Sequence, residues 1–226
     1  DHAYNACANA LRFDAERTGA KVVVAKVPFP LSGPAEVVDA VLAAVTPKTR
    51  VALVDHVTSP TGLVFPIAEL VSKLHARGVA VLVDGAHAPG MLPLNLEAIG
   101  ADWYTGNLHK WVCAPKACGF LYVPRARQAA IRPLVISHGA NATRTDRSRF
   151  RVEFDWVGTM DPTPWLCVPA ALDALSASAP GGWPEVMRLN RALALEARAL
   201  LAEALKVDVP APDEMIGSLA ALQLPG

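Results

Sequence analysis

Apolar residues recur along this chain with two periods, and the alternation between them predicts the architecture. Residues 1–18, with their alanines, Leu11 and Phe13, read as a helix, and no strand pattern precedes them, so the chain reads as beginning inside a fold. Residues 21–27 read as a strand. Ser32 is placed to cap a following helix, in which Val37, Val38, Val41, Leu42 and Val45 form one stripe. Residues 50–57 predict a second strand. Pro66 then opens a helix whose Ile67, Leu70, Val71 and Leu74 follow the i, i+3, i+4, i+7 rule, and Gly78 closes it.

Residues 79–83 are five apolar positions without alternation, as in a central strand covered on both faces. Residues 101–105 and 119–123 predict two further strands, a hairpin-like pair carrying Lys110 near its turn. Residues 141–151 hold Arg144, Arg147, Arg149 and Arg151 with little apolar content and read as an exposed loop. Residues 163–177 and 183–205 read as helices, the second long enough to link two domains. The alternation predicts an α/β fold, a mostly parallel sheet flanked by helices. A main domain over residues 1–180 is followed by a linker helix and the start of a truncated small domain over 181–226. Internal repeats and low-complexity tracts are absent from the sequence.

Composition narrows the class of protein. The chain has 226 residues, 52% of them hydrophobic and 19% charged, with mean hydropathy +0.28, which predicts a sizeable apolar core. Lysine plus arginine equals aspartate plus glutamate at 21 each, so a nucleic-acid or membrane-surface partner, which needs a basic face, is not expected. The sequence has no apolar run long enough for a membrane span and no signal-peptide pattern, so a cytoplasmic protein is expected. Cys7, Cys113, Cys118 and Cys167 match no zinc spacing and read as reduced thiols, Cys113 and Cys118 either lining the surroundings of Lys110 or filling space as small hydrophobes.

Candidate chemistry gathers where strands end. Asp84 closes the uninterrupted apolar strand, and Lys110 lies 26 positions on, at the end of another. Ligands bind at the carboxyl edge of open α/β sheets. A buried carboxylate paired with a lysine suits a cofactor with a pyridine nitrogen and an aldehyde. The rival reading makes Asp84 a cap for the turn at Gly85. His87, three residues on, is either a ring contact or a solvated loop histidine. Lys110 stands among Leu108, Trp111 and Val112, where partial desolvation favours a neutral amine, whereas Lys116 reads as solvated. Residues 58–62, Thr-Ser-Pro-Thr-Gly, are either contacts at the same sheet edge or a plain turn. Gly158-Thr159 is either a phosphate-holding pair or part of a helix start near Thr163.

Taken together, these segments resemble fold-type I pyridoxal phosphate enzymes, and within them the class V aminotransferase family, whose members include cysteine desulfurases, kynureninase and isopenicillin N epimerase-like proteins. The resemblance rests on Val83-Asp84-Gly85-Ala86-His87 and on the run from Asp102 to His109-Lys110, in order and at the family's spacing, and it extends over nearly the whole chain. Residues 56–62 and 1–6 look most like the isopenicillin N epimerase-like members. The resemblance implies pyridoxal 5'-phosphate as cofactor, with Lys110 as its imine-forming lysine, Asp84 on the ring nitrogen and His87 near the ring oxygen. It implies phosphate contacts from His109 and, in a position where many members have serine, Asn107. Ser59 stands where desulfurases have asparagine. Thr159 would reach the cofactor of a partner subunit, which implies a homodimer with shared sites and an amino acid as substrate. No metal is implied.

The same comparison implies an upstream phosphate-binding turn with a ring-stacking side chain, and a C-terminal domain with an arginine for the substrate carboxylate. This chain reads as the middle of such a protein. Epimerisation or transamination is the expected reaction. A carbon–sulfur lyase or a cysteine desulfurase is the alternative, as is an inactive fragment acting only as an interaction module.

Overall fold

The computed structural model describes residues 1–225. Four strands form one sheet in the order β1-β2-β3-β4: β1 (Val51–Asp55), β2 (Ala80–Asp84), β3 (Trp103–Asn107) and β4 (Gly119–Tyr122). The first three run parallel, and β4 returns antiparallel to β3, with Tyr104 opposite Tyr122. The helices are α1 (Asn5–Thr18), α2 (Pro34–Ala43), α3 (Ile67–His75), α4 (Leu96–Ile99), α5 (Arg149–Phe154), α6 (Thr163–Leu166), α7 (Val168–Ala177) and α8 (Trp183–Leu205). The mostly parallel sheet with flanking helices is the architecture the alternating pattern predicts.

The core forms where the two periods meet. Val81 and Val83 of β2 are fully buried, and the predicted stripe of α3 (Ile67, Leu70, Val71, Leu74) packs into the same cluster with Val37 and Val38 of α2. Each such side chain contributes roughly 1.5–3 kcal/mol by leaving water. The α1 helix, the α3 helix, the β3–β4 pair and the long α8 all lie where the pattern places them, within a few residues at their ends.

Four expectations fail, each for a physical reason. Residues 21–27 are not a strand: they make no ladder, and Val23 and Val24 are exposed, so β-branched residues alone did not supply a pairing partner. Ser32 does not cap α2; Gly33 is its N-cap, Pro34 opens the helix, and the Glu36 carboxylate reaches back to accept the Ser32 N–H at 2.6 Å. Residues 163–177 form two helices, α6 and α7, that meet at Cys167, with a proline in the opening turn of each. Part of the arginine-rich stretch is helical: α5 is capped by the Ser148 hydroxyl, and Arg149 and Arg151 pair with Glu153 and Asp155 one turn on.

Beyond α8 the chain turns back against the sheet domain. The buried Arg198 guanidinium donates to the Ala211 carbonyl at 2.8 Å and pairs with Asp213, and Arg191 donates to the carbonyls of Asp213 and Ile216. Val64 N–H donates to the Met215 carbonyl at 2.8 Å. No helix among the described residues is long and apolar enough to cross a membrane.

Two glycines fix the approach of the segment after β2 to its neighbours. A Cβ on Gly85 would sit 2.2 Å from the Tyr104 ring, and one on Gly90 would sit 2.7 Å from the Trp111 backbone. Gly90 also has φ +81°, in the left-handed region. Gly90→Ala is therefore expected to cost about 1–3 kcal/mol of stability and to displace the turn that carries Lys110. Chemical denaturation of the variant, read as the transition midpoint at unchanged slope, measures it.

Candidate active site

Parallel strands present their carboxyl ends together, and the ends of β1, β2 and β3 deliver the polar side chains. Asp84 is the last residue of β2 and is 8% exposed. Its Oδ1 accepts the Ala86 N–H at 3.0 Å, which makes the turn that leads to His87, and its Oδ2 accepts a hydrogen bond from the Cys7 thiol at 3.3 Å. The capping reading of Asp84 thus describes Oδ1, while Oδ2 faces the start of α1.

Lys110 sits on the tight connection between β3 and β4. Leu108 N–H donates to the Cys118 carbonyl, Ala114 N–H to that of Leu108 and Cys113 N–H to that of Lys110, so the loop is closed on itself around the lysine. Its Nζ lies 3.0 Å from His87 Nε2. Burial lowers the lysine's pKa, and the nearby Asp84 and Asp55 charges oppose that. His87 is likewise pushed down by burial and then by the Lys110 charge, so it is neutral at physiological pH and accepts from the ammonium. Among the described residues the buried Nδ1 of His87 has no partner.

Asp84, His87 and Lys110 are brought together by two short connections from adjacent strands. Asn107 ends β3 opposite Gly119, and His109 next to Lys110 is held by its Nδ1 to the Cys118 carbonyl at 3.0 Å. Ser59 and Thr159 are exposed, Ser59 in the turn after β1 and Thr159 between α5 and α6, and among the described residues neither hydrogen-bonds to the cluster. Beside Ser59, buried Thr58 closes its turn onto Thr61 at 2.7 Å and onto the Leu63 N–H at 2.9 Å. Cys118 is buried under the Lys110 loop, Cys113 is exposed, and all four cysteines are free thiols. Asp102, at the head of the family-like run, is structural: it accepts from the Val81 N–H and His75 and pairs with Arg127.

Sequence reasoning missed three residues here. Asp55 ends β1 in register with Asp84, is 5% exposed and accepts the Tyr4 N–H at 3.2 Å on Oδ2. Cys7, on the first turn of α1, faces Asp84, and burial followed by the Asp84 hydrogen bond pushes its pKa to about 11. His56 shares a 2.8 Å hydrogen bond with the Tyr104 hydroxyl, and burial takes its pKa down to about 4, so it stays neutral. A polar residue at a strand's last position was the available signal for Asp55, the same one that singled out Asp84.

Burial, then the Asp84 charge, raises the Asp55 pKa from 3.8 to about 7. Between those values the native state binds a proton that the unfolded chain does not, so stability falls as pH rises through that window. The full effect is at most roughly 4 kcal/mol. Asp55→Asn is expected to flatten this limb: melting temperatures of variant and parent converge near pH 4 and separate, with the variant higher, at pH 8.

Residues 2–222 match the family described as aminotransferase class-V, which is dependent on pyridoxal 5'-phosphate. The chain is 36% identical over 225 residues to the isopenicillin N epimerase of Streptomyces clavuligerus, covering 93% of this chain and 55% of that protein. It is 32% identical over 234 residues to a putative L-cysteine desulfhydrase of Oryza sativa subsp. japonica, covering 100% of this chain and 47% of that protein. Among solved structures, a cysteine desulfurase of Escherichia coli superposes with a TM-score of 0.66 at 26% identity, over 84% of this chain and 46% of the other. The chain spans about half the length of the curated relatives it matches.

Proposed function

The chain belongs to the class-V aminotransferase family, and from that premise we propose that it forms the reaction centre of a pyridoxal phosphate enzyme acting on an amino acid, with Lys110 as the residue that binds the cofactor. The observation that carries this reading is the convergence of Lys110 Nζ on His87 at 3.0 Å beside a buried Asp84 at the carboxyl edge of the sheet. The residues present fit the group. Asp84 offers a buried carboxylate oxygen to a cationic ring nitrogen, and His87 offers a buried nitrogen that has no protein partner. Bound there, pyridoxal phosphate supplies an electron sink for negative charge developing at the amino acid's Cα.

The protein's own groups divide the remaining work. Asp84 would face the ring nitrogen with its carboxylate, and His87 would hold the ring oxygen. Lys110, its pKa lowered by burial, would be the amine that holds the cofactor and the base placed to move a proton at Cα. His109 and Asn107 hold the phosphate, Ser59 contacts the ring, and Thr159 serves the site of a second copy in a cytoplasmic homodimer. Residues 1–180 form the cofactor domain, and the segment after α8 returns to the same core through Ala211, Met215 and Ile216.

Epimerisation and transamination both begin with proton removal at Cα and are the reading favoured for these residues. Carbon–sulfur lysis is the second reading, favoured by the likeness to a desulfhydrase. Assays of pyruvate, sulfide and optical rotation on a panel of amino acids separate them. Purified protein mixed with pyridoxal phosphate should acquire the visible absorption of lysine-bound cofactor; a chain that takes up none overturns the reading.

A further inference from the structure

Asp55 is the buried acid of the site that the proposed function leaves unused. Residues in register on neighbouring parallel strands point to the same face of the sheet, so Asp55 and Asp84 present two carboxyl groups side by side. The opening of α1 lies over both: the Tyr4 N–H reaches Asp55 and the Cys7 thiol reaches Asp84. The second oxygen of Asp55, Oδ1, is buried and, among the described residues, has no partner. The Tyr4 backbone N–H bonds the other oxygen, and the Lys110 ammonium is bonded to His87.

A carboxylate so placed is costly if charged, because it is desolvated, underbonded and next to a like charge. Asp55 therefore keeps its proton where an isolated aspartate would have lost it. The groups facing the pair are Lys110 and His87 from the connections after β3 and β2, and Cys7 from α1, while the Tyr104 hydroxyl on β3 is bonded to His56. The Lys110 charge favours ionisation of Asp55, and burial with the Asp84 charge outweighs it.

We propose that Asp55 is a positioning residue, the proton-bearing member of a carboxyl pair, whose neutral state leaves Asp84 as the single charged carboxylate at the ring-nitrogen position. The inference rests on the cofactor reading above, and it fixes which of the two acids faces the cofactor as an anion. It makes Asn a working substitute for Asp55 at pH 6 and an altered one at pH 8, where the parent residue is ionised.

The test has two arms. In the 226-residue chain without cofactor, labelled with ¹³C at the aspartate carboxyl carbons, one resonance is expected to titrate near pH 7 and to be missing from Asp55→Asn. Titration of parent and Asp55→Asn with pyridoxal phosphate should then give equal affinities at pH 6 and a several-fold difference at pH 8. A merely structural role would shift both pH values alike. The proposal is overturned if no aspartate titrates between pH 6 and 8, or if Asp55→Asn already weakens binding tenfold at pH 6. Failure of both proteins to take up cofactor would overturn the cofactor reading and leave the carboxyl titration to decide the state of Asp55.

Discussion

Lys110→Ala is expected to abolish the visible absorption that pyridoxal phosphate gives with the parent chain, and to lower turnover of any accepted amino acid on the order of 10³-fold. The side chain makes a single hydrogen bond, to His87, and is only partly buried, so the loss should not come through unfolding. Truncation leaves the loop's own bonds, Leu108 to Cys118 and Ala114 to Leu108, in place. The thermal midpoint should therefore move little while binding disappears. Lys110→Arg is expected to fail as badly, because a guanidinium stays protonated and cannot serve as the nucleophilic amine. Lys116→Ala is the control: that lysine is exposed and six positions on, and its loss should leave absorption and turnover unchanged. A Lys110→Ala variant that keeps the chromophore would place the reactive amine elsewhere.

The parts of this site that the sequence revealed are those built by short connections. Asp84 and His87 share one turn, Lys110 lies three residues past the end of the next strand, β3, and each stands near the end of a strand. The parts it did not reveal depend on contacts between distant segments. Tyr4 and Asp55 are 51 positions apart, and Cys7 and Asp84 are 77, so no local pattern announces that α1 is laid over the two strand ends. The failed strand at 21–27 has the same origin, since a run of valines states a preference and not a partner. The helix α5 was hidden for a different reason: it is only six residues long, held by a serine cap, charge pairs at one-turn spacing and the Phe150–Phe154 ring contact at 4.5 Å, too short for a repeating apolar stripe. Ser59 and Thr159 illustrate the limit of motif matching within one chain. Both lie in the expected segments, yet both are exposed, and among the described residues neither hydrogen-bonds to the Lys110 cluster.

Asp84→Ala and Asp84→Asn together separate the two duties that this carboxylate combines. Alanine removes both the acceptor of the Ala86 N–H and the charge; asparagine can keep the 3.0 Å bond through its amide oxygen and removes only the charge. If the turn were the residue's purpose, Asp84→Asn would behave like the parent. The expected result is that turnover falls about 10²-fold or more in both variants, since without the anion the ring nitrogen is no longer held protonated and negative charge at Cα loses its sink. Stability should divide them the other way: Asp84→Ala loses about 1–3 kcal/mol for the unsatisfied N–H, whereas Asp84→Asn loses less and is relieved of a like charge beside Asp55. That second effect predicts a visible coupling. With the Asp84 charge gone, Asp55 loses one of the two causes that raise its pKa, and its titration should move down from about 7 toward the ordinary carboxylate range in the Asp84→Asn chain. Catalytic loss without a shift at Asp55 would mean that the two side chains do not sense each other, however closely their strands are paired.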